Sequence, residues 1–179
     1  MEVVLASQSP RRRMLLEAAG FRVRQQPVET EETILDGETP EAAARRLAVA
    51  KAEAAPATNL PVIAADTLVA ISGRILGKPR DLADAEAMLK TLFGRTHTVI
   101  TGVAVRRGTQ LRASVVRTQV RMRTPSDEEL RAYLAHNAVL DKAGAYAIQE
   151  GAASFVVGVR GPLDNVIGLP VACVRELLR

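Results

Sequence analysis

The chain has 179 residues, enough for one domain with a sizeable core or two small lobes on a shared sheet. Apolar residues make up 47% and charged residues 25%, while 24 basic against 20 acidic side chains leave a spread-out net charge of +4. That excess fits a small anionic ligand without calling for nucleic acid, three Phe, two Tyr and no Trp give little for bases to stack on, and the single Cys173 excludes an intrachain disulfide. No segment reaches membrane-spanning length and no leader pattern opens the chain, so a cytoplasmic protein is the expectation.

A short apolar run, Val3 to Leu5, predicts a strand that ends in small and hydroxylated residues. Ser9 then offers an N-cap and Pro10 the first helical position, with Gly20 as the stop. Arg11, Arg12 and Arg13 fall in the first turn of that helix, where cations are mildly unfavourable. An anion held between them would explain the run, because helix N-termini and arginine forks together make a phosphate site. A merely solvated face would look the same.

Phe21 to Val28 predicts a second strand, and an acidic loop around Glu31, Glu32 and Thr33 follows. Thr39-Pro40 opens a helix to about Ala55 that carries Lys51. Leu60 to Ile71 is nearly all apolar, as a strand buried on both faces would be, except for Asp66 and Thr67. A carboxylate there is costly unless a cation, a metal or donors compensate it. A turn at Ser72-Gly73 leads to Gly77-Lys78-Pro79, and a helix is expected from Asp81 to Phe93.

Thr96 to Val105 and Gln110 to Arg123 predict a long hairpin around Arg107-Gly108; in its second arm Val116, Thr118, Val120 and Met122 alternate with solvated arginines and a glutamine. Ser126 with Glu129 forms a capping box for a helix ending near His136. A glycine-bearing loop runs from Asp141 to Gln149, a strand is expected from Ser154 to Val159, and Asn165 to Pro170 leads into a last helix, Val171 to Leu178. His97, His136 and Cys173 read as structural rather than chemical. With no repeat or linker, one α/β unit is the economical organisation.

Basic groups, two separated acids and neutral donors recur at strand ends, which favours phosphoryl chemistry on a divalent ion over acyl transfer. No nucleophile elbow, paired-histidine metal motif or Walker loop is present.

Six ordered segments carry a more specific likeness: Leu5-Ala-Ser-Gln-Ser-Pro-Arg-Arg-Arg13, Ala65-Asp-Thr67, Gly77-Lys-Pro79, Thr96 to Gly102, Asp141-Lys-Ala-Gly-Ala-Tyr-Ala-Ile-Gln149 and Asn165 to Pro170. Together they resemble the motifs of the Maf family, nucleoside triphosphate pyrophosphatases also described as septum-formation inhibitors. The resemblance implies a single Maf-like domain over residues 1–179, of an α/β fold related to inosine triphosphatases. That fold has an elongated, twisted mixed sheet with flanking helices, and two lobes around a central cleft.

The resemblance also implies hydrolysis of a nucleoside triphosphate to monophosphate and pyrophosphate with Mg²⁺ or Mn²⁺, with dTTP, UTP and modified pyrimidine nucleotides as substrates. By motif, Ser7, Arg11 and Arg12 would grip the triphosphate, and Glu32 and Asp66 would handle metal and water, with Asp66 as general base. Lys51 and Lys78 would offset charge on the phosphoryl group, while Thr67 and Gln149 would read the base. The implied partner is the nucleotide alone, without nucleic acid or membrane, and a homodimer is left open. A preference for 7-methyl-GTP and a non-catalytic role in cell division are the rival readings. Glu150 stands where the family has glycine, Asp164 where serine is common, and Glu31 where aspartate is usual.

Overall fold

The computed structural model describes residues 1–179. Seven strands form one mixed sheet flanked by helices, in the order β2-β1-β3-β5-β6-β7 with β4 on β3, where β1 is Glu2–Leu5, β2 Arg22–Gln25, β3 Val62–Ile71, β4 Arg74–Leu76, β5 Thr96–Arg107, β6 Gln110–Met122 and β7 Val156–Arg160. The chain divides into two compact units, one of residues 1–67, 100–116 and 162–179, the other of residues 68–99 and 117–161.

In the first unit β1 pairs in parallel with both β2 and β3, Leu5 lying opposite Ile63. Strand alternation divides the apolar residues between two layers. Val3, Leu5, Ile63, Ala65, Val103 and Val105 face helix α1, Pro10–Ala18, and the C-terminal helix α6, Val171–Leu177. Val4, Val62, Ala64 and Ala104 face helix α2, Pro40–Ala54, through its Ala48 and Ala52. The same parity, continued along β3, sends Asp66 toward α2 and Thr67 toward α1. A one-residue slip would exchange them.

The caps follow the sequence. Ser9 Oγ accepts from Arg12 N with Pro10 at N1, and Thr39 Oγ1 accepts from Ala42 N at 3.2 Å. Gly20, at φ +87°, takes the left-handed conformation that ends α1. Between Gln25 and α2 the acidic segment has no regular structure, and the second strand is shorter than expected, four residues against eight.

In the second unit, β3 turns at Ser72-Gly73 into the antiparallel β4, and α3, Leu82–Leu92, is capped by the Asp81 carboxylate on Asp84 N. Helix α4, Asp127–His136, has the expected capping box: Ser126 Oγ accepts from Glu129 N, and Glu129 Oε2 from Ser126 N at 2.7 Å. Phe155 packs edge-on against Phe93 and Tyr133, with the Arg123 guanidinium over its ring. The strand expected from Ser154 begins at Val156, because Ala152–Phe155 form a 3₁₀ turn. A five-residue helix in the first unit, α5, Leu163–Ile167, escaped the sequence; Asp164 Oδ2 holds its exit by accepting from Val171 N at 2.8 Å.

His97 is 2% exposed and shares a 2.7 Å hydrogen bond with the Tyr146 hydroxyl. Burial lowers the imidazole pKa to about 4 and raises that of the phenol. An unfolded histidine titrates near 6.5, so between pH 6.5 and 4 the unfolded chain takes up a proton that the folded one refuses. Stability therefore falls with pH across that window, by about 3 kcal/mol. In urea titrations from pH 7 to 4, His97→Gln is expected to show an acid slope shallower by that amount. Parallel slopes would contradict it.

Candidate active site

The expected site residues fall in both units: Ser7, Arg11, Arg12, Glu32, Lys51, Asp66 and Thr67 in the first, Lys78 and Gln149 in the second. In the first unit they gather where β1 stops and β3 runs on. Beyond Leu5 the chain leaves the sheet through Ser7 into α1, while β3 continues to Asp66 and Thr67. The carboxyl ends of parallel strands are the usual place for a ligand in open α/β sheets.

On the α2 side, the Lys51 ammonium lies between two carboxylates. It donates to Asp66 Oδ1 and, at 2.7 Å, to Glu32 Oε1. The Lys51 and Asp66 side chains are 9% and 10% exposed and the Glu32 side chain 42%, so the acidic loop closes a half-open cluster over a buried pair. This answers the cost of a carboxylate in an apolar strand: α2 delivers its cation. Helix α2 comes this close because Gly102 leaves room for it. A Cβ at Gly102 would run into the Ala44 carbonyl, two helical turns before Lys51.

On the other side, Arg12 is committed to the protein through three of its five N–H groups. Nε donates to Gly168 O at 2.9 Å, one terminal nitrogen to Ser7 Oγ at 3.1 Å and the other to Thr67 Oγ1 at 3.2 Å. Desolvation pulls the Arg12 guanidinium down from its ordinary value, Asp66 and Glu32 push it back up, and Arg11 repels it. The helix mouth, the β3 aspartate and the loop glutamate thus lie within one another's fields. Ser7, besides receiving Arg12, accepts from Ser9 N at 3.2 Å through its hydroxyl and from the Gln25 amide at 2.8 Å through its carbonyl.

Sequence reasoning missed Thr101. It is fully buried, 3.0 Å from the Thr67 hydroxyl, and donates to Asn165 O at 3.2 Å. A hydroxyl in the middle of the apolar run Val99 to Val105 is the same signal that singled out Asp66 and Thr67.

In the second unit, Lys78 and Gln149 are exposed, and their segments are joined where Gly144 N donates to Gly77 O at 3.0 Å. Gly144 and Ala145 both have left-handed φ, and a side chain at 144 would press on Val69. Lys142 was also missed. Its ammonium, 4% exposed, donates to Ala138 O, to Asp141 at 2.8 Å and to Glu150 at 2.9 Å. Glu150, the departure from the family glycine, thus helps fasten the loop that carries Gln149.

No three His, Cys, Asp or Glu side chains cluster as a metal site. Two carboxylates nevertheless converge on one cation, the Lys51 ammonium, and hard oxygens in that number suit Mg²⁺ or Mn²⁺ when substrate phosphates and water supply the rest. The residues present fit such an ion.

The chain is 48% identical to the dTTP/UTP pyrophosphatase of Anaeromyxobacter dehalogenans (strain 2CP-C), with 99% of this chain and 92% of the relative covered. Proteins of the same name from Geobacter sp. (strain M21) and Moorella thermoacetica are 47% and 46% identical, covering 99% of this chain and 94% and 93% of theirs. Among solved structures, the Staphylococcus aureus Ham1 protein superposes with a TM-score of 0.57 at 18% identity, over 99% of this chain and 98% of that one, a likeness of fold. The Maf-like protein model matches residues 2–179, and the chain belongs to that family.

Proposed function

We infer that this protein is a nucleoside triphosphate pyrophosphatase that hydrolyses dTTP and UTP to the monophosphate and pyrophosphate. Near-full-length identity of 46–48% to relatives bearing that name supports the reading. The observation that carries it structurally is the Lys51 ammonium held between Asp66 and Glu32, two carboxylates that also act on the Arg12 guanidinium. Such an assembly has little use in a scaffold, and it suits a polyanionic substrate attacked by water.

In the reaction a water oxygen bonds to the α-phosphorus as the bond from that phosphorus to the oxygen bridging to the β-phosphate breaks. Pyrophosphate leaves with the bonding electrons. Asp66 takes the water proton on the oxygen to which Lys51 does not donate, while Lys51 keeps the carboxylate oriented. Arg11 and the N–H groups that Arg12 retains hold phosphate oxygens at the mouth of α1, and Ser7 fixes the Arg12 fork. Lys78 and Gln149 take the roles the family motif gives them, charge neutralisation and base contact. A divalent ion on Glu32 and Asp66, when bound, supplies further neutralisation of the phosphates.

The test is a panel of triphosphates, including dTTP, UTP, CTP, ATP and 7-methyl-GTP, assayed for pyrophosphate release with Mg²⁺ and Mn²⁺. Preference for dTTP and UTP, lost on chelation, is the expected result. A winning purine overturns the base assignment, and no hydrolysis with any ion hands the protein to a regulatory role.

A further inference from the structure

Thr67 and Thr101 contribute two hydroxyl protons, and the acceptors around them are few. Thr101 Oγ1 lies 3.2 Å from Asn165 O, Thr67 Oγ1 lies 3.4 Å from Gly168 O, and the two hydroxyls are 3.0 Å apart. Three arrangements satisfy both protons within this set. In the first, Thr67 donates to Thr101 and Thr101 to Asn165 O. In the second, Thr101 donates to Thr67 and Thr67 to Gly168 O. In the third, Thr101 donates to Asn165 O and Thr67 to Gly168 O, which leaves the two hydroxyl oxygens facing each other at 3.0 Å with no proton between them.

The first is the better one. Its distances are shorter, a proton lies between the two hydroxyl oxygens, and Gly168 O is already taken by Arg12 Nε at 2.9 Å. All three agree on one point: the Thr67 proton stays inside the protein. Arg12 meanwhile donates to Thr67 Oγ1 at 3.2 Å and occupies one of its two lone pairs. In the first arrangement Thr101 accepts from Thr67, so a single Thr67 lone pair remains for a ligand; in the second Thr101 takes that lone pair as well. A hydroxyl that could otherwise turn either way is reduced to an acceptor by the residue behind it.

We propose that Thr101 is a positioning residue for base selection, fixing Thr67 as a pure hydrogen-bond acceptor, so that the site takes a base edge presenting an N–H and rejects one presenting a bare ring nitrogen. This rests on the reading of Thr67 as a base contact. Uracil and thymine carry that N–H at ring position 3; cytosine carries a lone pair there, and two acceptors facing each other repel. The Gln149 amide cannot supply the discrimination alone, because it can turn to offer either a donor or an acceptor.

The test compares kcat/KM for UTP and CTP in the wild type, Thr101→Val and Thr101→Ser, with the melting temperature of each recorded. Valine keeps the shape but frees the Thr67 proton, and the UTP/CTP ratio is expected to fall by about tenfold or more, chiefly through KM. Serine restores the hydroxyl and should keep the ratio within about threefold of wild type, since only a methyl group is lost. A valine variant that hydrolyses UTP with the wild-type ratio overturns the proposal, as does a wild type indifferent between the two nucleotides. If the wild type hydrolyses no triphosphate, the functional reading fails instead. Neutron diffraction of the deuterated protein then decides the hydroxyl order: a Thr67 deuteron directed at Thr101 upholds the proposal, and one directed at Gly168 O or anywhere else overturns it.

Discussion

Asp66→Asn is expected to lower kcat by about 10²–10⁴-fold, the usual contribution of a positioned general base, while the melting temperature changes little. The substitution keeps the shape of the side chain and an oxygen able to accept from Lys51, so the pairing that holds α2 against β3 survives in a weaker, neutral form. What it removes is the basic oxygen left over for water. KM should move less than kcat, because triphosphate affinity is expected to reside at Arg11 and Arg12 on the α1 side rather than at the carboxylate. A variant turning over at the wild-type rate would take Asp66 out of the reaction.

Lys51→Met has the opposite profile, damaging stability as well as rate. The methionine fills the space but leaves the buried Asp66 carboxylate without its cation. Breaking one side of a buried ion pair costs about 3 kcal/mol, the lower end of the usual range because Glu32 is half open to water and Arg12 lies within reach. For a chain of this size that is a fall of roughly 6–12 °C in melting temperature. Mg²⁺ should restore part of the loss in this variant and much less in the wild type, because the two carboxylates then have only the added ion between them. Thermal denaturation with and without millimolar Mg²⁺ reads this directly, and an unshifted variant melting curve speaks against Glu32 and Asp66 as ligands.

Much of the fold could be read from local signals. Ser9-Pro10, Thr39-Pro40 and the Ser126/Glu129 box act over three or four residues, and each marks its helix start. Alternation in β6 separated Thr118, Val120 and Met122, all buried, from Arg117, Gln119 and Arg121 on the exposed face. The one-turn helix at Leu163–Ile167 has no room for periodicity, and its stabilising contact is a single aspartate on a backbone amide seven residues on.

The site residues were nameable one by one, but their partnerships were not. Lys51, Glu32 and Asp66 meet across gaps of 15 and 19 residues, and Arg12 reaches Gly168 over 156. Nothing in the spacing of a helix or strand encodes such meetings. The departure at Glu150 is the converse: in the sequence it is only a charge in place of a glycine, and its partner, the buried Lys142, emerges only when the loop is folded.

Gly102 bears no charge and donates no side-chain bond, yet one added methyl group there would wedge against Ala44 and lift the front of α2 off the sheet. Lys51 rides on the same face of that helix, two turns along, so the displacement would be delivered to the ammonium rather than absorbed in the core. The reach of the lysine toward its aspartate is therefore gauged by bare main chain. A mutational scan confined to acids, bases and hydroxyls would overlook the position from which the whole cluster is most easily put out of alignment.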